Sequence, residues 1–267
     1  MTKSKTDMRN NAEIQRFPTI RRMRDFHVYD LQGNRYLDLY RLNGHALMGH
    51  KPGRIALVLK NMVSKGLFAS YPSIYEERLL KVLRILLPDC IGFRIYRNME
   101  RLVASLKDLL GEETGIPGDP LYPGASAEKA AFWRPFLPET PAFPALIPVF
   151  AVSGDFFPWV VGFTGRAGEK APPSDTVSPA LLAMLTRSVY DLLAFGEGYN
   201  ENSWKKFPLP FWQRKGPYLL FSGNEKEYRQ VFKNCREHGI LIAPEAGKPS
   251  IIPGEWTDGE IQFLRKG

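Results

Sequence analysis

Residues 26–40 read FHVYDLQGNRYLDLY, with two short runs of β-forming residues on either side of Gln32-Gly33-Asn34. Glycine adopts the positive φ that a tight hairpin turn needs, and asparagine tolerates that conformation. The segment therefore predicts a β-hairpin that turns at Gly33.

Two amphipathic helices separated by a strand are predicted to follow the hairpin. The first helix begins at Ser73-Ile-Tyr-Glu76, a capping-box pattern in which Ser73 and Glu76 each satisfy a backbone N–H, and it ends before Pro88. A strand is expected at 92–96 and a second helix at 99–110. The order helix–strand–helix is typical of an α/β layer.

The stretch 112–180 contains 12 of the 22 prolines of the chain. Proline fixes φ and lacks an N–H, so a continuous helical layer is excluded there. We expect loops and short strands, such as one at 145–152. Helical periodicity resumes at Ser178-Pro179, an N-cap followed by a first-turn proline, and continues to Gly196.

The C-terminal part alternates strand and helix with short loops. A strand is expected at 218–222, a helix at 225–238 that Gly239 terminates, and a strand at 240–243. This pattern predicts a small α+β domain.

The composition is that of an ordinary folded protein. The chain has 267 residues, of which 44% are hydrophobic and 24% charged, so it can bury a substantial core. No apolar run is long enough to span a membrane, and the first residues lack the apolar stretch of a secretory signal. Cys90 and Cys235 are not spaced as a disulfide framework and are expected to be buried thiols. We therefore expect a cytoplasmic protein without a membrane partner.

The net charge is +8, and residues 1–25 carry half of it. A basic arm is one way to bind phosphates. No nucleic-acid fold and no aromatic residues suited to base stacking accompany this arm, which favours a solvated terminal segment. Nucleic-acid binding is therefore the least favoured alternative.

Motifs for metal and phosphate chemistry are weak. His45 and His50 are five residues apart, which places them on neither one helix face nor one strand face, so no metal site is predicted. The run Gly162-x-x-Gly165-x-x-Gly168 has neither the dinucleotide spacing nor the order of a P-loop, and we interpret it as a flexible loop.

Three short patterns occur along the chain in a common order. Residues 28–38 and 47–52 match D-x-x-G-x-x-Y-x-D … G-H-x-P, and residues 176–180 are similar to a shortened T-x-S-G-N-P-x-A. Residues 235–244 and 256–261 are similar to G-x-x-x-x-P-S … H-T-x-E-D-I. With these patterns the chain resembles the class III pyridoxal-phosphate-dependent aminotransferases, in particular members like glutamate-1-semialdehyde aminomutase.

The resemblance implies a cofactor site, yet its parts are altered. In the family a lysine forms a Schiff base, an aspartate pairs with the pyridine nitrogen, and a Ser-Gly-Thr loop holds the phosphate. Here Arg97-Asn98-Met99 stands in place of that loop. The resemblance puts the lysine near Ser153, but no lysine occurs between Lys129 and Lys170. Asp155 is the nearest acid and does not fit the family's pattern.

Four residues remain as candidates. Thr176 matches a threonine that reaches the phosphate of the neighbouring subunit in family dimers, although capping of the following helix explains it equally well. Arg97 and Asn98 are the remaining cofactor-binding candidates at the altered loop. Lys170 is the catalytic candidate only if the protein is active, since a Gly/Pro-flanked segment does not suggest a buried amine.

We therefore expect an α/β protein with a reduced fold-type-I aminotransferase-like architecture, a truncated large-domain sheet and an α+β small domain. The expected segments are an N-terminal arm and hairpin (1–72), a large-domain remnant (73–196) and the small domain (197–267). The favoured function is that of a catalytically degenerate binding or interaction protein without cofactor, as a homodimer, with a small anion as a candidate ligand. The alternative is an active aminotransferase or aminomutase that uses pyridoxal phosphate and a recruited lysine.

Overall fold

A computed structural model describes residues 17–50, 54–112, 114–122, 129–140, 142–152 and 156–266 of the chain. The fold has two compact units. One comprises the chain up to Lys51 together with Gly198–Gly267, and the other comprises Pro52–Glu197. The first unit thus joins part of the expected N-terminal segment to the expected small domain.

Helices and strands are numbered separately, in chain order. The strands are β1 (Ile20–Arg24), β2 (His27–Asp30), β3 (Arg35–Asp38), β4 (Gly92–Tyr96), β5 (Ala130–Trp133), β6 (Ala145–Pro148), β7 (Trp159–Phe163), β8 (Trp212–Lys215), β9 (Tyr218–Phe221), β10 (Ile240–Leu241) and β11 (Ser250–Ile251). The α-helices are α1 (Ile55–Ser64), α2 (Ile74–Leu86), α3 (Met99–Leu110), α4 (Pro179–Gly198), α5 (Glu201–Trp204), α6 (Glu225–Glu237) and α7 (Gln262–Lys266). Short 3₁₀-type segments cover Arg41–Gly44 and Arg166–Lys170.

Most predicted elements are confirmed. Strands β2 and β3 pair antiparallel, and Gly33 has a φ of +86° at the turn between them. The predicted strand at 92–96 and helix at 99–110 are β4 and α3, and the helix predicted from Ser178-Pro179 is α4, which ends at Gly198.

Other local predictions are wrong or incomplete. Helix α2 begins after Ser73 as predicted, but the Ser73 hydroxyl makes no capping bond and has no hydrogen-bond partner among the described residues. The strand expected at 145–152 ends at Pro148. Gly162 lies in the buried strand β7 and not in a flexible loop, and a Cβ there would approach the Cys90 sulfur to 2.7 Å.

The unit of residues 52–197 is built around the sheet β4-β7-β6-β5, in which only β5 and β6 are parallel. Alternate residues of its strands face two separate apolar clusters, as the period of two in a strand requires. Leu146 and Val160 pack into the cluster that contains residues of α1, α2 and α4. Ile147 and Val161 pack into the cluster that contains residues of α3. The sheet therefore has helices on both faces, which is the α/β arrangement that was expected.

The other unit joins the two ends of the chain. Its four-stranded sheet has the order β1-β2-β3-β10, and β10 pairs in parallel with β3. A second sheet has the order β11-β9-β8. The C-terminal strand β10 thus completes the sheet that the N-terminal hairpin begins.

The D-x-x-G-x-x-Y-x-D residues stabilise the hairpin turn. The Asp30 carboxylate accepts hydrogen bonds from the backbone N–H of Gln32 at 3.0 Å, from the backbone N–H of Asn34 at 2.8 Å and from the Tyr36 hydroxyl at 3.1 Å. Desolvation raises the pKa of Asp30, but the hydrogen bond from the Asn34 side-chain amide at 2.9 Å, together with the three above, outweighs it, so the pKa lies below the ordinary value. This part of the pattern thus has a structural role in the turn.

Candidate functional site

The structure brings the three cofactor-binding candidates together at the start of α3. Arg97 and Asn98 connect β4 to α3, and Thr176 lies in the segment that leads into α4. The Arg97 guanidinium donates from Nε and Nη2 to the carbonyl oxygen of Thr176 at 3.1 and 2.9 Å. These hydrogen bonds of the Arg97 side chain therefore go to the protein backbone.

Asn98 is the N-cap of α3. Its side-chain oxygen accepts a hydrogen bond from the backbone N–H of Arg101 at 2.9 Å. This bond satisfies one of the N–H groups that the first turn of a helix leaves unpaired. Asn98 thus occupies with its own side chain a donor that a bound phosphate would otherwise use.

Asp175 completes the site and was missed by the sequence analysis. Its Oδ2 accepts a hydrogen bond from the backbone N–H of Arg97 at 3.0 Å, and its Oδ1 lies 3.3 Å from Nη2 of Arg101. The Asp175 side chain is 16% exposed, whereas that of Arg101 is 58% exposed. A partly buried carboxylate of the chain itself therefore neutralises the positive start of α3.

The segment that carries Asp175 follows the edge of β4 that β7 does not use. The backbone N–H of Ile95 donates to the Ser174 hydroxyl at 3.1 Å, and the backbone N–H of Asp175 donates to the Ile95 carbonyl at 2.8 Å. Further back, the Tyr96 hydroxyl donates to the Pro172 carbonyl at 3.1 Å. These contacts fix the position of Asp175 relative to α3.

Lys170, the catalytic candidate, is exposed at the end of the 3₁₀ segment Arg166–Lys170. This segment packs against β4, β7 and α3. Schiff-base lysines are activated by burial in an apolar pocket or by a neighbouring cation, and an exposed amine lacks the first of these. Ser153, near which the resemblance puts the lysine, lies outside the described residues, as does Asp155, the nearest acid.

These described groups do not fit pyridoxal phosphate in the way the resemblance implies. The Arg97 guanidinium is bound to a backbone carbonyl, the Asn98 oxygen caps the helix, and the Asp175 carboxylate already contacts the Arg97 N–H and Arg101. A phosphate placed here would lie beside a carboxylate and repel it. We therefore derive no reaction step through this cofactor.

A buried charged cluster lies in the other unit, around Arg41. The Arg41 side chain is fully buried, and its guanidinium donates to the carbonyls of Asp38, Ala46 and Leu47 at 2.6, 3.1 and 3.0 Å. The guanidinium carbon lies 4.2 Å from the centre of the Phe26 ring, a cation–π geometry. Burial lowers the pKa of Arg41 to about 10.

Asp38 supplies the counter-charge in this cluster. Its Oδ1 accepts the backbone N–H groups of Tyr40 and Arg41 at 2.9 and 3.2 Å, and its Oδ2 lies 2.7 Å from Nε2 of His50. The backbone between these residues is unusual, because Arg41, Leu42 and Asn43 all have φ between 49° and 57°. Such a turn costs free energy for residues other than glycine, and the buried contacts of Asp38 and Arg41 hold it. The G-H pair of the second pattern is thus part of a buried network.

Metal-ligand groups and membrane-spanning helices are both absent from the described part of the chain. No group of three or more His, Cys, Asp or Glu side chains there could hold a metal ion. No helix in the described ranges is long and apolar enough to cross a membrane.

Comparison with sequences finds two bacterial relatives over nearly the whole chain. An uncharacterized protein of Borreliella burgdorferi is 22% identical over 253 residues, which cover 95% of this chain and 91% of that protein. An uncharacterized protein of Treponema pallidum is 23% identical, over 90% of each chain. No protein-family model matches the chain.

Comparison with solved structures finds aminotransferases. An omega-transaminase from Sphaerobacter thermophilus has a TM-score of 0.63 at 12% identity, over 93% of this chain and 89% of that one. An ornithine aminotransferase from Plasmodium yoelii has a TM-score of 0.65 at 11% identity, over 99% and 97%. An acetylornithine aminotransferase from Elizabethkingia anophelis has a TM-score of 0.63 at 14% identity, over 99% and 98%. At these identities the likeness shows the fold alone, and this chain therefore has an aminotransferase-like α/β fold.

Proposed function

We propose that the chain is a catalytically degenerate, aminotransferase-like binding or interaction protein. The observation that carries this proposal is the internal pairing at the start of α3. There the Arg97 guanidinium is bound to the Thr176 carbonyl, the Arg97 N–H to the Asp175 carboxylate and the Arg101 N–H to the Asn98 side chain, so these groups do not await a cofactor phosphate. The sequence supports it independently, because it has no lysine from residue 130 to residue 169.

An active aminotransferase or aminomutase with pyridoxal phosphate is the alternative. One observation favours it: the segment Arg166–Lys170 packs against α3 and β4, which places the backbone of Lys170 in the same unit as Arg97. In that case Lys170 would form the Schiff base. Its exposure argues against the alternative.

Absorbance with added pyridoxal phosphate tests the two functions. We expect no stoichiometric imine band after removal of free cofactor, and borohydride should trap no single modified lysine in a peptide map. The matched control is Lys60→Ala, because Lys60 is an exposed lysine on α1. A one-to-one imine band that Lys170→Ala abolishes and Lys60→Ala leaves intact would establish the enzyme and overturn the proposal.

We further propose that the protein forms the homodimer that the resemblance implies. Large apolar side chains are exposed within a short stretch of the unit of residues 52–197: Leu57, Val63, Phe68, Tyr71 and Ile74. Large apolar side chains exposed in this number within one stretch of chain favour an interaction surface. Light scattering after size exclusion should give a dimer mass that Phe68→Asp lowers and Ile116→Asp, at a residue 82% exposed, does not. A monomer mass for the wild-type protein would refute the dimer.

A further inference from the structure

The residues 172–176 form a strap over the free edge of β4. Hydrogen bonds from Ile95, Tyr96 and the Arg97 side chain reach this segment, and the N–H of Asp175 bonds back to Ile95. The bond from the Asp175 N–H to the Ile95 carbonyl is of the kind that joins strands. The bonds that involve the Ser174 hydroxyl, the Tyr96 hydroxyl and the Arg97 guanidinium depend on side chains. The geometry of the strap therefore depends on the side chains that bind it at its C-terminal end.

The Asp175 carboxylate is the charged contact at that end. It accepts the backbone N–H of Arg97 at 3.0 Å and lies 3.3 Å from the Arg101 guanidinium, in front of the 12-residue helix α3. A backbone N–H, an arginine guanidinium and the positive end of a helix together attract an anion. Because Asp175 is only 16% exposed, it occupies this position with little access for solvent.

We propose that Asp175 is an internal anion that fastens the strap to the start of α3 and keeps external phosphate out of this position. The inference extends the proposed function, since it names the residue that makes the site unavailable. Removal of the carboxylate should loosen the strap and leave the Arg97 backbone N–H and the Arg101 guanidinium without their anion. Inorganic phosphate would then be able to replace it.

Hydrogen exchange of Asp175→Ala measures both effects. In this variant the amide of Arg97 loses its acceptor. The amide of residue 175, which bonds to the Ile95 carbonyl, loses the side-chain contact that holds it near α3. We therefore expect exchange of both amides to accelerate about ten-fold, as the loss of one charge-assisted hydrogen bond implies. Added inorganic phosphate should restore protection at Arg97 in the variant and change nothing in the wild-type protein. Circular dichroism confirms that the variant is folded.

Two further variants make the test specific. Arg101→Gln breaks the same ion pair from its exposed side and keeps the Asp175 side chain. It should also accelerate exchange in the strap. Glu100→Gln removes a neighbouring carboxylate of the same helix turn, which is exposed, and should leave exchange as in the wild-type protein.

Unchanged exchange in both Asp175→Ala and Arg101→Gln would overturn the proposal. A response to phosphate that is equal in wild type and Asp175→Ala, including no response in either, would overturn it too. These outcomes differ from the result that would overturn the proposed function, namely an imine band that Lys170→Ala abolishes. Either result can occur without the other.

Discussion

Asp38 is expected to be the most sensitive acidic residue of the unit that joins the two chain ends. It is 4% exposed and supplies the counter-charge near the fully buried Arg41. Asp38→Ala removes the acceptor for two backbone N–H groups and for His50, and it leaves the Arg41 cation buried without its counter-charge. Leaving two buried backbone N–H groups unsatisfied and a buried cation without a nearby negative charge should together lower the free energy of unfolding by about 3–5 kcal/mol.

Asp38→Asn separates the charge from the hydrogen bonds. The amide oxygen can still accept the two backbone N–H groups, so only the negative charge and the His50 contact change. We expect a loss of about 1–3 kcal/mol, between the wild type and Asp38→Ala. Asp258→Ala is the control, because Asp258 is 82% exposed and pairs with the half-exposed Arg265. Its effect should stay within about 0.5 kcal/mol.

Urea unfolding followed by tryptophan fluorescence measures these differences. The five tryptophans are divided between the units, so a background with Trp133→Phe and Trp159→Phe reports on the unit of Asp38 through the remaining three. A midpoint change without a change in the denaturant slope gives the difference in stability. The reasoning is refuted if Asp38→Ala lies within about 1 kcal/mol of the wild type, since a buried charge cannot lose its partner so cheaply.

Three further predictions concern packing, thiols and acid. Gly162→Ala should destabilise the protein by about 1–3 kcal/mol, because the new Cβ would lie 2.7 Å from the Cys90 sulfur, and the double variant with Cys90→Ala should recover part of this loss in the same urea assay. Burial raises the pKa of Cys90 to about 11 and that of Cys235 to about 12, so a thiol reagent at pH 8 should modify neither in the native protein and both in urea, and rapid native labelling would contradict this. Hydrogen bonds from Arg214 lower the pKa of Glu201 in the folded protein below its ordinary value of 4.5, so its stabilisation is present above that pH and is lost as the pH falls through the folded pKa. Glu201→Gln should therefore be less stable than wild type at pH 7, and the difference should shrink as the pH falls below 4.5; a difference that is independent of pH would exclude this contribution.

Local elements were predictable from the sequence because their signals are local. Gly33 fixes the hairpin turn, and the apolar spacing of residues 99–110 fixes α3, within a few residues of chain in each case. The capping box at Ser73 failed for the opposite reason. The pattern of residues 73–76 permits the capping bond, but the rotamer and burial of the Ser73 side chain depend on tertiary packing, and the hydroxyl is buried without that bond.

The candidate site could be located from the sequence, but its chemistry could not. Arg97 and Thr176 were singled out separately on resemblance alone, and their contact joins residues 79 apart in the chain. Asp175 carried no signal of its own, since an acid before a helix N-cap is common. Its importance lies in the arginines that it meets 74 and 78 residues earlier. Contacts between residues so far apart in the chain depend on the tertiary fold, in which the strap lies along the edge of β4.

The groups at the start of α3 are best understood together with the Asp175 carboxylate. The start of α3, with the exposed Arg101 beside it, carries positive charge that attracts an anion. In a protein that binds a phosphate there, the ligand supplies the negative charge, and a carboxylate in the same place would weaken binding. In this chain Asp175 supplies it, and the same residue fixes the strap. It follows that a small hydroxyl residue in place of Asn98 would not by itself create a phosphate site. The Asn98→Ser variant should bind inorganic phosphate no better than wild type, whereas Asn98→Ser combined with Asp175→Ala should bind it. Phosphate titrations of the two variants test this, and equal binding by both would show that Asp175 does not control the position.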